Sequence, residues 1–122
     1  MAREFSFARR AARLLVIALL FGATPAAADT SSFDGSWSVR IVTQHGTCDS
    51  GASLPIRVDN GSIASDLSVV KVSGQVTASG TLNVRVGEGL KRASGIGHLS
   101  DTTGSGTWRG GPCSGIWTAQ KN

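Results

Sequence analysis

The stretch that decides the fold runs from Gly106 to Gln120 and reads GTWRGGPCSGIWTAQ. It holds Gly-x-Trp twice, as Gly106/Trp108 and Gly115/Trp117, on either side of a Gly-Gly-Pro break and a cysteine. The same triplet occurs once more, as Gly35/Trp37 in FDGSW. Residues two apart on a strand face the same side. Each triplet therefore sets a missing side chain beside a large ring on one face, where the ring can lean over bare backbone and the strand can bend sharply. We expect Gly35, Trp37, Gly106, Trp108, Gly115 and Trp117 to be core-forming positions, each indole lying by its own glycine inside a narrow β-structure.

Outward from that stretch the pattern is strand-like throughout. In SWSVRIVT, Trp37, Val39 and Ile41 share one parity, while Ser36, Ser38 and Arg40 share the other. LPIRV sets Leu54, Ile56 and Val58 against Pro55 and Arg57, and TLNVRV sets Leu82, Val84 and Val86 against Thr81, Asn83 and Arg85. Period-two alternation of this kind marks strands with one apolar and one wet face, and no segment after residue 28 carries a helical period. In ASGIGHLS, Ala93, Gly95, Gly97 and Leu99 share a parity, and three of these four are small enough to leave room for bulky neighbours.

Turn chemistry separates the runs. Asn60-Gly61 is the pair that tolerates the positive φ angles of a type I′ hairpin. Glycine-rich breaks at 78–80, 87–89, 101–106 and 110–112 supply the others. Eight strands result, at 35–44, 53–58, 62–66, 69–77, 81–86, 91–99, 105–110 and 113–120. Short strands joined by hairpins form an antiparallel meander, which removes its open edges by closing into a barrel. The fold class expected is all-β, an eight-stranded antiparallel up-and-down barrel with one disulfide.

The cysteines test the strand count. Cys48 falls just past the first strand and Cys113 begins the last. With an even number of strands the last runs antiparallel to the first, so the two cysteines meet at the closing seam; an odd number would put them at opposite ends. A bridge between them closes a loop of about 65 residues, which the chain-entropy model values on the order of 4 kcal/mol. A metal site drawing on His45, Cys48, His98 and Cys113 is the alternative, disfavoured in an oxidising compartment.

Residues 1–28 read as a cleaved secretory signal peptide, leaving a single domain at 29–122. Arg3, Arg9, Arg10 and Arg13 precede the apolar run LLVIALLFGA, too short to span a bilayer, and Ala26 to Ala28 supply a small-residue cleavage site. The expected location is periplasmic or extracellular. This segment also carries most of the net charge of +4 in the 122-residue chain, because it contains four of the 12 Lys and Arg but one of the 8 acids. The remaining cations stand singly along the sequence except Lys91-Arg92, read as a solvated strand end. A polyanion needs clustered cations, so neither a nucleic-acid partner nor a basic membrane surface is expected, and residues 29–122 contain no membrane span.

Gly35/Trp37 near the start of the first strand resembles the Gly-x-Trp signature of the calycin superfamily, the lipocalin, avidin and bacterial protease-inhibitor barrels. That resemblance implies a small barrel with the triplet at its closed end. The order FDGSW, one Cys after the first strand, GSGTWRG and a final CSGIW is also similar to a group of short, uncharacterised exported bacterial proteins, a likeness that brings no activity with it. Individual relatives fit less well. Avidins hold biotin through a polar network that includes tyrosine, and this chain has none; lipocalin strands are longer. The protease-inhibitor barrels insert a free N-terminal segment into a protease, a part that Asp29 to Phe33 would have to play here.

Catalytic chemistry is not expected. His45 and His98 are isolated, no nucleophile-elbow or metalloprotease spacing occurs, and Asp34, Asp49, Asp59, Asp66 and Asp101 fall in or beside loops, where aspartates fix turns. No cofactor or metal is called for. A small stapled barrel reads instead as a binding module, meeting a small molecule or another protein at its rim. The segment Gln44 to Ser53 is too long for a minimal hairpin, which makes Gln44, His45, Thr47 and Asp49 the candidate recognition loop. A structural envelope protein without ligand is the alternative. Three indoles inside a narrow lumen predict that no ligand-sized internal cavity remains, since such sites usually occupy about 300 Å³ or more.

Overall fold

The computed structural model describes residues 29–122; the segment read as a signal peptide lies outside the described residues. A 3-10 helix, Ser31–Phe33, leads into eight strands: β1 (Gly35–His45), β2 (Ala52–Asp59), β3 (Ser62–Ser65), β4 (Lys71–Val76), β5 (Thr81–Glu88), β6 (Lys91–Leu99), β7 (Thr103–Gly110) and β8 (Cys113–Lys121). Each pairs antiparallel with the next, and β8 pairs with β1, so the sheet is a closed up-and-down barrel. This architecture is compatible with a calycin-like fold. The strands lie where the alternation placed them. No end differs by more than two residues: β4 begins at Lys71 instead of 69, because 66–70 forms an irregular loop, while β5 runs on to Glu88 and β7 begins at Thr103.

Two-residue turns set the register. Asp59 pairs with Ser62 around Asn60 and Gly61, whose φ angles of 50° and 84° are the two positive values a type I′ turn demands. The Asn60 N–H donates to Asp34 Oδ1 at 2.8 Å, which ties this turn to the start of β1. Tight turns at Gly89-Leu90 and Gly111-Pro112 likewise join β5 to β6 and β7 to β8.

The inward parity of every strand meets in one core, including Phe33, Trp37, Val58, Ile63, Val76, Leu82, Leu99 and Trp117. Trp37 is fully buried at 0% exposure, and its Nε1–H donates to the Phe33 carbonyl at 2.9 Å. The 3-10 helix thus plugs one mouth of the barrel, with Phe33 as the stopper and the Trp37 indole beneath it.

Two of the three Gly-x-Trp triplets act across strands. In the β7–β8 hairpin Gly106 stands opposite Trp117, and Trp108 opposite Gly115. The Trp117 indole crosses β7 and reaches β6, where its Nε1–H donates to the Ile96 carbonyl at 3.1 Å. A Cβ on Gly106 would stand 2.7 Å from Trp117 Cε2, and one on Gly97, the next residue along that path, 2.5 Å from Cζ2. Trp108 leans the other way, over β8, and its Nε1–H donates to the Val42 carbonyl of β1 at 3.1 Å. A Cβ on Gly115 would overlap that same carbonyl oxygen. Gly35 differs from both, since it lies opposite Val58 and enters β1 at φ 131°, a backbone conformation that L side chains rarely adopt. For Gly106 and Gly115, glycine beside its own indole is therefore corrected to glycine opposite the neighbouring strand's indole.

Two stability outcomes follow. Trp37→Ala should cost about 3–5 kcal/mol, the range for deleting a large buried aromatic, read as a loss of unfolding free energy in denaturant. Gly106→Ala adds one methyl where none fits and should cost about 1–3 kcal/mol, with the Trp117 emission moving red as its indole is lifted off the sheet. Unchanged stability in Gly106→Ala would refute the cross-strand packing.

Candidate functional site at the disulfide rim

The two mouths of the barrel are built differently. Around the plugged mouth the inward side chains are buried. At the other, Ile41, Leu54, Val72, Val84 and Trp108 have the same inward parity, pack on the core, and remain half-buried because none of the described residues caps them. The lumen between is nearly full. Its cavity measures about 60 Å³, with Ile41, Leu54, Val72, Val84 and Trp117 on its walls, well below the ~300 Å³ of a usual ligand pocket.

A larger hollow, about 750 Å³, opens at the uncapped rim. The loop between β1 and β2 contributes Thr47, Cys48 and Asp49; the β5–β6 hairpin contributes Glu88, Leu90, Lys91 and Arg92. Trp108 and the cross-strand pair Val86 and Ala93 supply apolar surface between them.

Covalent and hydrogen bonds fix the first wall. Cys48 and Cys113 are joined, with Cα atoms 6.2 Å apart, at the seam where β8 meets β1. The Cys48 N–H lies 3.2 Å from Cys113 Sγ. Thr43 holds the loop from below: its hydroxyl donates to the Asp49 carbonyl at 2.8 Å, and its N–H donates to Ser50 Oγ at 3.1 Å. The Gly51 N–H returns to the Ile41 carbonyl at 2.7 Å. The opposite wall is held by Arg92, whose Nη1 donates to the carbonyls of Gly89 at 2.7 Å and Lys91 at 2.9 Å.

Sequence reasoning located half of this site. Of the four recognition-loop residues, Thr47 and Asp49 line the hollow. Gln44 and His45 do not. Both end β1, and a register shift between Thr43 and His45 brings His45 opposite Ser114, while Gln44 borders a separate outer depression with Ile96 and Arg109. The β5–β6 wall was missed, because Lys91-Arg92 reads as a solvated strand end. The available signal was Leu90, an apolar residue set between Gly89 and Lys91 at a turn where it has nothing to pack against.

Two alternatives that the sequence left open are closed here. Asp29 to Phe33 is no free arm: Phe33 is buried, Ser31 N–H donates to Asp29 Oδ1 at 2.9 Å, and Lys121 Nζ donates to the Ser32 carbonyl at 3.1 Å. The Asp29 carboxyl is held below its ordinary pKa by the Ser31 backbone and side-chain hydrogen bonds. The cysteines are spent on each other and cannot be thiolate ligands, and among the described residues no three His, Cys, Asp or Glu side chains gather as a metal set. His98 sits in β6 opposite Thr81 and Ser105, at the plugged end and far along the barrel from His45. Compared with protein-family models, with curated proteins and with solved structures, the chain matches none.

The disulfide should stiffen the rim more than it shapes the core. Cys48→Ser with Cys113→Ser should lower the unfolding free energy in denaturant by about 4 kcal/mol. In the folded variant the amide resonances of Gly51 and residue 48 should move while the Trp37 Nε1–H chemical shift stays in place; a displaced Trp37 Nε1–H would show that the plugged end also depends on the bridge.

Proposed function

We propose that this protein is an exported binding module and that its ligand site is the hollow at the disulfide rim. The observation that carries the reading is the asymmetry of the two mouths. One is sealed by Phe33 over Trp37; the other leaves inward apolar surface half-covered between two walls that are bonded in place. A volume of about 750 Å³ falls within the ~300–1,000 Å³ range of small-molecule sites, whereas the lumen does not.

The lining defines the ligand class. Trp108, Val86 and Leu90 offer an apolar and aromatic contact, and Asp49 and Glu88 face the site together with Lys91 and Arg92. This suits a compact molecule with one flat or apolar part and polar groups of either sign at its edge. The role is non-catalytic, resting on shape and contact. Export is supported by the disulfide, which persists in oxidising compartments. A calycin-like kinship is supported by the barrel and by Trp37 at its sealed end.

A fragment screen followed by ¹H–¹⁵N spectra tests the assignment. Fragments that bind should shift the Trp108 Nε1–H and the amides of Thr47, Asp49 and Lys91, and Trp108→Ala should weaken them at least about tenfold, the scale of one lost aromatic contact. Shifts confined to other surfaces, or no binding at any concentration tried, would favour a structural protein without ligand.

A further inference from the structure

We infer that the outer edge formed by the β3–β4 loop and the β5–β6 hairpin is a docking surface for an anionic lipid bilayer. The inference goes beyond the rim hollow, since it rests chiefly on outward-facing residues around a different depression.

The register assembles the surface from cations that are far apart in sequence. Lys71, Gly87 and Arg92 form one cross-strand row on β4, β5 and β6, and Ser73, Arg85 and Ser94 form the next row on the same outward face. Gly87 has no side chain to separate the two cations of its row. Arg92 lies over it instead, its Nη1 only 3.2 Å from where a Cβ would stand. The resulting depression, about 640 Å³, is lined by Lys71, Arg85 and Arg92 with the Ser73 hydroxyl and no carboxylate. Among the described residues the ion pair present is Arg57 with Asp66 at 3.8 Å, which leaves these three cations without an acidic partner. Glu88, the acid nearest Arg85 and Arg92 in sequence, has the opposite parity and lines the rim hollow, while Asp66, at the start of the β3–β4 loop, is turned to Arg57. Arg92 is held by the hairpin carbonyls of Gly89 and Lys91, but gathering like charges lowers fold stability, so folding gives no reason for Lys71 and Arg85 to join it.

Apolar side chains project beside the cations. Val69 is 70% exposed and lines the same depression; Leu90 is 99% exposed at the hairpin tip and follows Gly89, another lining residue. Leu67 in the same loop as Val69 is 42% exposed. Scattered exposed aliphatics are ordinary. Here three of them share two neighbouring loops with a group of unpaired cations, the combination an anionic bilayer rewards: phosphates meet the cations and the aliphatic tips enter the headgroup boundary. A soluble anion would use the cations and leave Leu90 and Val69 idle.

Sedimentation of the disulfide-bonded chain with lipid vesicles tests this. It should bind vesicles of equal parts phosphatidylglycerol and phosphatidylcholine, not phosphatidylcholine alone, and release as salt is raised. Lys71→Ala and Arg85→Ala should each weaken binding about fivefold, as expected for one cation near an anionic surface. Leu90→Asp, at a fully exposed position, should weaken it about tenfold by removing an inserted side chain and adding a like charge to the lipid. Thermal melting and buried Trp37 emission confirm that each variant is folded. Absence of vesicle binding at low salt overturns the inference, as does binding indifferent to Leu90→Asp. Release by soluble glycerol phosphate, or equal retention on an acidic polypeptide, overturns it in favour of a free-anion or protein partner. If vesicles are not bound while fragments still shift Trp108 Nε1–H, this inference falls alone; the reverse result leaves it standing and removes the rim site.

Discussion

The barrel depends on an indole lying flat across bare backbone. Trp117 spans two strands to reach the Ile96 carbonyl, and it can do so because Gly106 and Gly97 present no side chain beneath it. That one contact fills much of the lumen, satisfies the only polar atom of the ring, and draws β6, β7 and β8 into tight curvature. Trp108 repeats the arrangement in the other direction across β8 to β1. The two indoles therefore brace four consecutive strands, including the seam where the sheet closes.

Closure on such a small radius leaves the two mouths to be finished separately. At one, the 3-10 helix folds Phe33 over Trp37, and the Phe33 carbonyl accepts the indole N–H, so sealing costs no unpaired polar group. At the other, the described residues supply a covalent staple and a hydrogen-bonded loop but no plug. Preorganised walls around incompletely covered apolar surface reduce the entropy lost when a partner binds. The sealed end accounts for folding; the stapled end is free to differ, and it is where charge and exposed aliphatic side chains collect.

Most of the fold was legible because alternation, turn residues and two cysteines each constrain it independently. The parity of Trp37, Val39 and Ile41 fixed the inner face of β1, Asn60-Gly61 fixed the second hairpin, and the seam position of Cys48 and Cys113 required an even number of strands. The purpose of the repeated glycines was not legible, since Gly-x-Trp on one strand says nothing about which strand's indole will cover the gap. Only the β7–β8 register, which sets Gly106 against Trp117 and Trp108 against Gly115, reveals the exchange. Half of the rim was readable from the length of Gln44 to Ser53. The fate of Gln44 and His45 hinged on a register shift at Thr43/His45 that leaves no mark in the sequence.

Charge was the property hardest to read along the chain, for a geometrical reason. In an antiparallel meander, residues equidistant from a turn become neighbours, so Lys71, Arg85 and Arg92 stand apart in sequence but lie on adjacent strands around Gly87. A nearly balanced total hides this. Of the eight Lys and Arg in residues 29–122, four lie between Lys71 and Arg92, a span that contains Glu88 as its sole acid. Asp34 is spent on the Asn60 turn, and Asp66, although it opens the β3–β4 loop, is spent on Arg57. Net charge thus describes the chain poorly as an electrostatic object: the pairing register gives the barrel one cationic edge, and that edge carries the side chains least reconciled to water.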